Sequence, residues 1–399
     1  MRIAMVSEHA SPLAGLGTPD AGGQNVHVAA LATAVAALGH EVTVYTRRDD
    51  PGLPERVPFG PGVTVAHVPA GPPEPIPKDD ILPWVPDFAS WLREQWAFER
   101  PDVAHSHFWM SGLATLGAAG RLGVPVAHTF HALGTVKRRH QGPADTSPAE
   151  RIAAETAIGR AADMIISTCP DEVDELARMG VPRHRARVVP CGVDLGLFRP
   201  GVPGERPERP RLLSIGRLVP RKGVDTVIQA LPYVPEADLV VGGGLPIDDL
   251  DRDEEATRLR AEAERVGVAG RVTFTGQVAR EDVPGLMRSA AAVVCVPWYE
   301  PFGMVVLEAM ACGVPVIASA VGGQKDTVVN EVTGLLVPPR RPKAVAGAVR
   351  RLLDDPLLSD SFGIAGADRA STRYGWDRVA RDTVSAYAQA MRRVERTAS

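Results

Sequence analysis

Short runs of β-branched and other apolar residues alternate with stretches of helical period along nearly the whole chain. Before residue 200 the runs are "RIAMVS", "EVTVYT", "VTVAHV", "DVAHSH", "VPVAHTF", "DMIIST" and "ARVVP"; after it they are "RLLSIG", "ADLVVGGG", "RVTFTG", "AAVVCVP" and "VPVIAS". Between the first two, over 23–38, Val28, Leu31, Val35 and Leu38 recur at the steps that line one face of a helix. Strand, helix and strand in repeated order predict parallel sheets with helices on both faces. The pattern stops at "RPGVPGERPERP", 199–210, where Pro200, Pro203, Pro207 and Pro210 interrupt it, and this stretch reads as a linker between domains 1–198 and 211–375. Residues 51–62 and 69–77, rich in Pro and Gly, read as surface loops. Residues 376–399 read as a last helix that follows the second sheet and packs back across the first domain.

With 399 residues and 45% hydrophobic content, the chain can bury two cores of roughly 150–200 residues each. The fold class expected is therefore α/β, with two doubly wound, Rossmann-like domains facing across a cleft and ligands at the carboxyl ends of the strands. A formal net charge of -4 and a pI near 6.2 give no overall field for nucleic acid or an anionic membrane, so any anion must be gripped locally. Cys169, Cys191, Cys295 and Cys312 are scattered singly, as in a reducing compartment. The opening "MRIAMVSEHA" reaches Glu8 and His9 too soon for a secretory leader, and no apolar run of ~18 residues suggests a transmembrane segment. A cytoplasmic protein acting on small molecules, without a nucleic-acid partner, is expected; the oligomeric state stays open.

Candidate chemistry lies at strand ends. In "GTPDAGGQNVHV" the paired Gly22 and Gly23 stand where the chain turns into a helix, a place where backbone N–H groups approach an anion; Gly15, Gly17 and Gly22 do not have the dinucleotide spacing G-x-G-x-x-G. "SIGRLVPRKG" sets Arg217 and Lys222 in a strand-to-helix loop, where two cations could meet the charge of a departing diphosphate. In "WYEPFGMVVLEAM", Glu300 follows a strand, Pro301-Phe302-Gly303 turns into a helix, and Glu308 lies within it. A rise of ~1.5 Å per residue separates the two carboxylates by on the order of 10 Å, which suits two rings of one extended ligand better than an acid–base couple on one bond. The backbone N–H groups of Phe302 and Gly303 face the same ligand from the helix start.

"HSHFWMSG" and "HTFHALGTVKRRH" bring His105, His107, His128 and His131 to one sheet edge; with no acid or thiol at ligand spacing, no metal site is expected from them. The acidic run "DDLDRDEE", 248–255, contains D-x-D spacings but reads as a solvated helix start.

Together, "AGGQNVHV", "GRLVPRKG" and the two glutamates around "PFG" resemble the retaining GT-B glycosyltransferases of family 4, over nearly the whole chain. Within that family the layout is similar to the mycothiol-pathway inositol-phosphate N-acetylglucosaminyltransferases, and "DAGGQ" and "HALGTVK" are similar to sucrose and sucrose-phosphate synthases. The resemblance implies a hexosyl transfer from a nucleotide-diphospho-sugar, led by UDP-glucose or UDP-N-acetylglucosamine, to a hydroxyl of a small polyol, sugar or sugar phosphate, with no cofactor and no metal. It implies that Glu308 binds the ribose, Glu300 and His131 the transferred sugar, and Arg217 and Lys222 the diphosphate together with Gly23. Asn25, Lys78 and Arg151 match acceptor-binding positions. Phe108 and Ala132 replace a tyrosine and a threonine of the inositol-phosphate enzymes, so inositol 1-phosphate is expected to be a poor acceptor. Lys137, Arg138 and Arg139 add cations beyond "HALGTV". A GT-B sugar-nucleotide epimerase and a non-catalytic sugar-nucleotide sensor remain alternatives.

Overall fold

The structure, a computed structural model, describes residues 1–14, 22–201 and 208–398. Gly15 and Gly17, and residues 202–207 of the Pro-rich stretch, lie outside the described residues. The chain forms two compact units, Met1–Gly192 with Trp376–Ser399, and Val193–Gly375.

The first unit runs β1 (Arg2–Val6), α1 (Gly23–Ala37), β2 (Glu41–Arg47), β3 (Arg56–Gly60), β4 (Val63–Val68), α2 (Val85–Phe98), β5 (Val103–His107), α3 (Trp109–Ala119), β6 (Val126–Thr129), α4 (Gly134–Gln141), α5 (Arg151–Ala161), β7 (Met164–Ser167), α6 (Pro170–Arg178) and β8 (Ala186–Val188). Its strands order β3-β4-β2-β1-β5-β6-β7-β8, parallel except for the antiparallel β3–β4 pair. The order reverses between β1 and β5, which opens a crevice at their carboxyl ends. Alternation along the strands divides the core between the two faces. Ile3 and Met5 of β1 pack with Val28, Leu31 and Val35 of α1, whereas Ala4 and Val6 pack with Phe88, Leu92 and Trp96 of α2. Burying one such large apolar side chain contributes about 1.5–3 kcal/mol.

The second unit runs β9 (Arg211–Ile215), α7 (Val224–Ile228), β10 (Asp238–Gly242), α8 (Glu254–Arg265), β11 (Val272–Gly276), α9 (Val283–Arg288), β12 (Ala292–Cys295), α10 (Met304–Ala311), β13 (Val316–Ser319), α11 (Gln324–Thr327), β14 (Leu335–Val337), α12 (Pro342–Asp354) and α13 (Pro356–Arg373). All six strands are parallel in the order β11-β10-β9-β12-β13-β14, so the switch point falls between β9 and β12. The last helix, α14 (Trp376–Ala398), belongs to the first unit, where Val379, Ala386, Tyr387 and Ala390 pack against the α1 face of the sheet.

Three sequence expectations need correction. Residues 193–198 belong to the second unit rather than the first, because Val193 bridges to Gly375 and Phe198 is buried under Arg280. The stretch 51–62 is not all loop: β3 pairs with β4 at the sheet edge, where Pro58 is tolerated beside a shift in register. Leu38 is not on the buried face of α1; it caps the helix at 37% exposure, ahead of Gly39 with its left-handed φ of 85°.

Candidate active site

In the second unit the switch point gathers the cations and one of the glutamates. The short turn Pro220–Lys222 follows β9, and Glu300 follows β12. Lys222 Nζ stands 2.5 Å from Glu300 Oε2, and Arg221 Nη1 is 3.6 Å from the same oxygen. Arg221 also lies over the Tyr299 ring at 5.2 Å, and its carbonyl accepts from the Trp298 N–H at 2.8 Å, so the two loops are stitched together. Gly223 makes this approach possible: its φ is 72°, and a Cβ there would stand 2.2 Å from the Val296 carbonyl oxygen. Burial opposes ionisation of Glu300, but Lys222, Arg221 and the exposed Arg217 outweigh it and hold the carboxyl below its usual range. Arg221 is absent from the sequence reading; its place between Pro220 and Lys222 in the same basic turn was the available signal.

Glu308 lies on the buried side of α10, one helix turn beyond Met304, and Gly303 starts the helix with a left-handed φ of 89°. Phe302 is buried, its ring 6.2 Å from that of Tyr374. Burial pushes the Glu308 carboxyl up, and Arg280, 3.0 Å away, opposes this. The acidic run 248–255 is a helix start: the Asp253 carboxylate accepts from the N–H groups of Glu255 and Ala256 at the head of α8, and Asp249, Asp251 and Glu255 pair with arginines.

In the first unit the switch point holds an array of histidines. His131 takes a left-handed φ of 60°, and its Nε2 is 3.0 Å from His107 Nδ1. The His27 ring meets those of His131 and His107 edge-on at 5.0 and 5.7 Å. The Thr129 hydroxyl donates to the Ile166 carbonyl at 3.0 Å, so it accepts from His105 Nε2 at 2.9 Å; His105 Nδ1 is then the acceptor for the Tyr387 hydroxyl at 2.8 Å. His128 turns away, with Nδ1 2.8 Å from Ser106 Oγ. Nitrogens of His27, His107 and His131 lie within 4.8 Å of one another, a grouping that could take a cation. They come from α1, the end of β5 and the loop after β6, so no rule of spacing along the chain reaches them.

Burial keeps these imidazoles neutral, and that sets a pH response. His27 is lowered to about 4 and His128 to about 3 by burial, and His105, His107 and His131 fall well below their usual range, chiefly by burial and then by one another's charge. For a base depressed in the folded state, stability is complete above the unfolded value of ~6.5; as pH falls below it, the unfolded chain takes up protons that the folded chain refuses. For His27 alone the loss approaches roughly 3 kcal/mol by pH 4. Thermal unfolding should therefore show the first unit melting at progressively lower temperature from pH 7 to pH 4.5, and a melting temperature flat across that window would contradict the array's neutrality.

The expected acceptor residues fall into two groups. Asn25 is buried and occupied in capping α1, its Oδ1 accepting from the Gly22 N–H at 3.1 Å and its Nδ2 donating to the Ser11 carbonyl at 3.0 Å, while Gly23 opens the helix. Lys78 and Arg151 converge on Phe108, Lys78 Nζ at 5.8 Å and Arg151 Cζ at 5.0 Å from the ring centroid, with the His9 ring at 4.9 Å. Phe108 is itself held at a φ of 78°. Arg151 donates to Glu155 at 2.7 Å, to Ser147 Oγ at 3.1 Å and to the Ala132 carbonyl at 2.7 Å. Both oxygens of Glu155 accept from the Gly134 N–H, which fixes the loop after His131. Lys137 and Arg138 pair with Asp145, and Arg139 with Glu175. His9, at the end of β1, is a neighbour the sequence reading used only to exclude a leader; its position just past a strand was the available signal.

Two doubly wound units, one with a basic turn locked to a buried carboxylate at its switch point, agree with a glycosyltransferase of the GT-B class, which the comparisons with known proteins show. Residues 21–197 match the family described as Glycosyltransferase Family 4, residues 200–369 match that described as Glycosyl transferases group 1, and the chain belongs to this family of enzymes. It is 39% identical to the D-inositol 3-phosphate glycosyltransferase of Xylanimonas cellulosilytica, with 98% of this chain and 97% of that protein covered. It is 36% identical to the protein of the same name from Streptomyces coelicolor, over 99% and 93% of the two chains. Among solved structures, the sucrose-phosphate synthase of Thermosynechococcus elongatus superposes with a TM-score of 0.89 at 34% identity, over 97% and 98% of the chains. No helix among the described residues is long and apolar enough to cross a membrane.

Proposed function

We propose that this glycosyltransferase is a cytoplasmic, retaining hexosyltransferase that uses a nucleotide-diphospho-sugar, UDP-glucose or UDP-N-acetylglucosamine first among them, and a hydroxyl of a small polyol, sugar or sugar phosphate as acceptor, with no metal required. The observation that carries the reading is the Lys222–Glu300 pair beside Arg217 at the β9–β12 switch point, where a diphosphate would meet fixed positive charge. In this reading Arg217 and Lys222 stabilise the leaving diphosphate, Glu300 and the Phe302 and Gly303 amides hold the sugar, and Glu308 holds the ribose. Gly22 and Gly23 approach the phosphates, and His131 contacts the sugar near its anomeric carbon. The C1–O bond to the diphosphate breaks with its electron pair on phosphate, the acceptor oxygen bonds C1 on the same face, and the acceptor proton passes to a leaving phosphate oxygen. The second unit binds the donor and the first the acceptor. Relatives named as transferases argue against the epimerase alternative.

The acceptor end carries the sharper expectation. The named relatives act on an inositol phosphate, yet here Phe108 offers a hydrocarbon ring to Lys78 and Arg151, and Ala132 gives only its carbonyl, to Arg151. Each missing hydroxyl donor costs a bound phosphate of order 1–3 kcal/mol. In a competition at equal concentrations, with products identified by mass and anomeric configuration, inositol 1-phosphate should be used at least ~10-fold less well than another sugar phosphate or a neutral sugar. Chelator should leave the rate unchanged. Efficient transfer to inositol phosphate would sink the acceptor reading, and the absence of transfer or donor hydrolysis with any donor would favour a sensor.

A further inference from the structure

Arg280 lies in the loop between β11 and α9, and neither the chain pattern nor the family resemblance drew attention to it. Its Nη1 donates to Glu308 Oε1 at 3.0 Å, and its guanidinium lies 5.0 Å over the ring of the fully buried Phe198. Arg280 is 31% exposed against 9% for Glu308, so a residue with one side to solvent reaches in to a carboxylate that is otherwise enclosed. The ring below and the carboxylate ahead leave the guanidinium little freedom.

Resting on the reading of Glu308 as the ribose-binding residue, we infer that Arg280 is a positioning residue of nucleotide recognition, fixing the plane and the charge of the carboxylate that receives the ribose diol. A vicinal diol presents two O–H donors, and an ionised carboxylate accepts one at each oxygen; protonation turns one of those oxygens into a donor and weakens the paired arrangement. Burial works against ionisation of Glu308, and Arg280 is the charged side chain that works for it. The other charged groups on helices packed against α10 do not act on Glu308 in this way: Arg288 of α9, Lys325 and Asp326 of α11, and Asp360, Asp368, Arg369 and Arg373 of α13. Arg288 donates to the Arg199 carbonyl, and Arg369 to the carbonyls of Thr327 and Asp326. The Cys312 thiol, one turn along α10, is pushed up to about 11 by burial and stays neutral.

The test is calorimetric titration of the full chain with UDP from pH 5 to pH 8, for the wild type, Arg280→Met, Arg280→Lys and Glu308→Gln. Arg280→Met should weaken UDP about tenfold at neutral pH, and the pH at which affinity falls away should move upward, with the melting temperature little changed. Arg280→Lys should restore much of the affinity and the wild-type pH profile. If Glu308→Gln weakens binding while Arg280→Met matches the wild type, the role of Arg280 is wrong and that of Glu308 stands. A loss in Arg280→Met that is equal at every pH also overturns the inference, since it would mark a direct or merely structural contact. If Glu308→Gln binds UDP like the wild type, the ribose reading falls first and this inference with it.

Discussion

Lys222→Ala should lower turnover about 100-fold while the protein stays folded, and Arg217→Ala should come close to it. Both cations would meet charge that grows only as the diphosphate departs, and removing one group of this kind raises the barrier by about 3 kcal/mol. The two variants differ in their secondary effects. Arg217 is exposed, so its loss leaves the second unit intact. Lys222 is the 2.5 Å partner of Glu300, and without it the buried carboxylate keeps Arg221 at 3.6 Å. Lys222→Ala should therefore also raise the KM for the donor, whereas Arg217→Ala should act mainly on kcat. Steady-state kinetics on variants with wild-type circular dichroism decide it, and wild-type rates in either would remove that cation from the chemistry.

Glu155→Ala should be among the most destabilising single changes in the first unit, by about 3–5 kcal/mol, because it strands a buried guanidinium. Arg151 and Glu155 are 4% and 0% exposed and 2.7 Å apart, and burial pushes the Glu155 carboxyl up while Arg151 holds it down. The substitution also leaves the Gly134 N–H without its carboxylate. By contrast Arg139→Ala, whose side chain is 54% exposed in its pair with Glu175, should cost no more than about 1 kcal/mol. Urea unfolding measures both. The double change Arg151→Met with Glu155→Leu separates charge from shape: it should recover much of the lost stability, since an apolar pair of similar volume has no stranded charge. A loss below about 1 kcal/mol in Glu155→Ala would mean that water reaches Arg151.

What the sequence revealed follows from what is local. β1, β9 and β12 at the switch points are mainly apolar runs, and Glu300, Lys222 and His131 lie in the loops that follow β12, β9 and β6, so their place at the carboxyl edge of the sheets could be read directly. β3 escaped the reading because it contains Pro58 and takes its conformation at the sheet edge from pairing with β4; β14 escaped although Leu335, Leu336 and Val337 form a run as long as β8. The side-chain partnerships escaped for a different reason. Arg280 and Glu308, or His27, His107 and His131, are distant in sequence and meet only when loops from separate elements converge. Arg151 could be placed near the acceptor by resemblance, but its engagement by Glu155, Ser147 and Ala132 depends on packing that no spacing encodes.

The assignment of α14 to the first unit gives the protein a nested topology, with the second unit inserted between two segments of the first. A ribosome makes the second unit after one of those segments and before the other. While Val193–Gly375 is being synthesised, α1 lies on its face of the first unit's sheet without α14 beside it, and His105 lacks its hydroxyl donor. The second unit, contiguous in sequence, needs no such delay. It can close its own core while the histidine array still awaits α14.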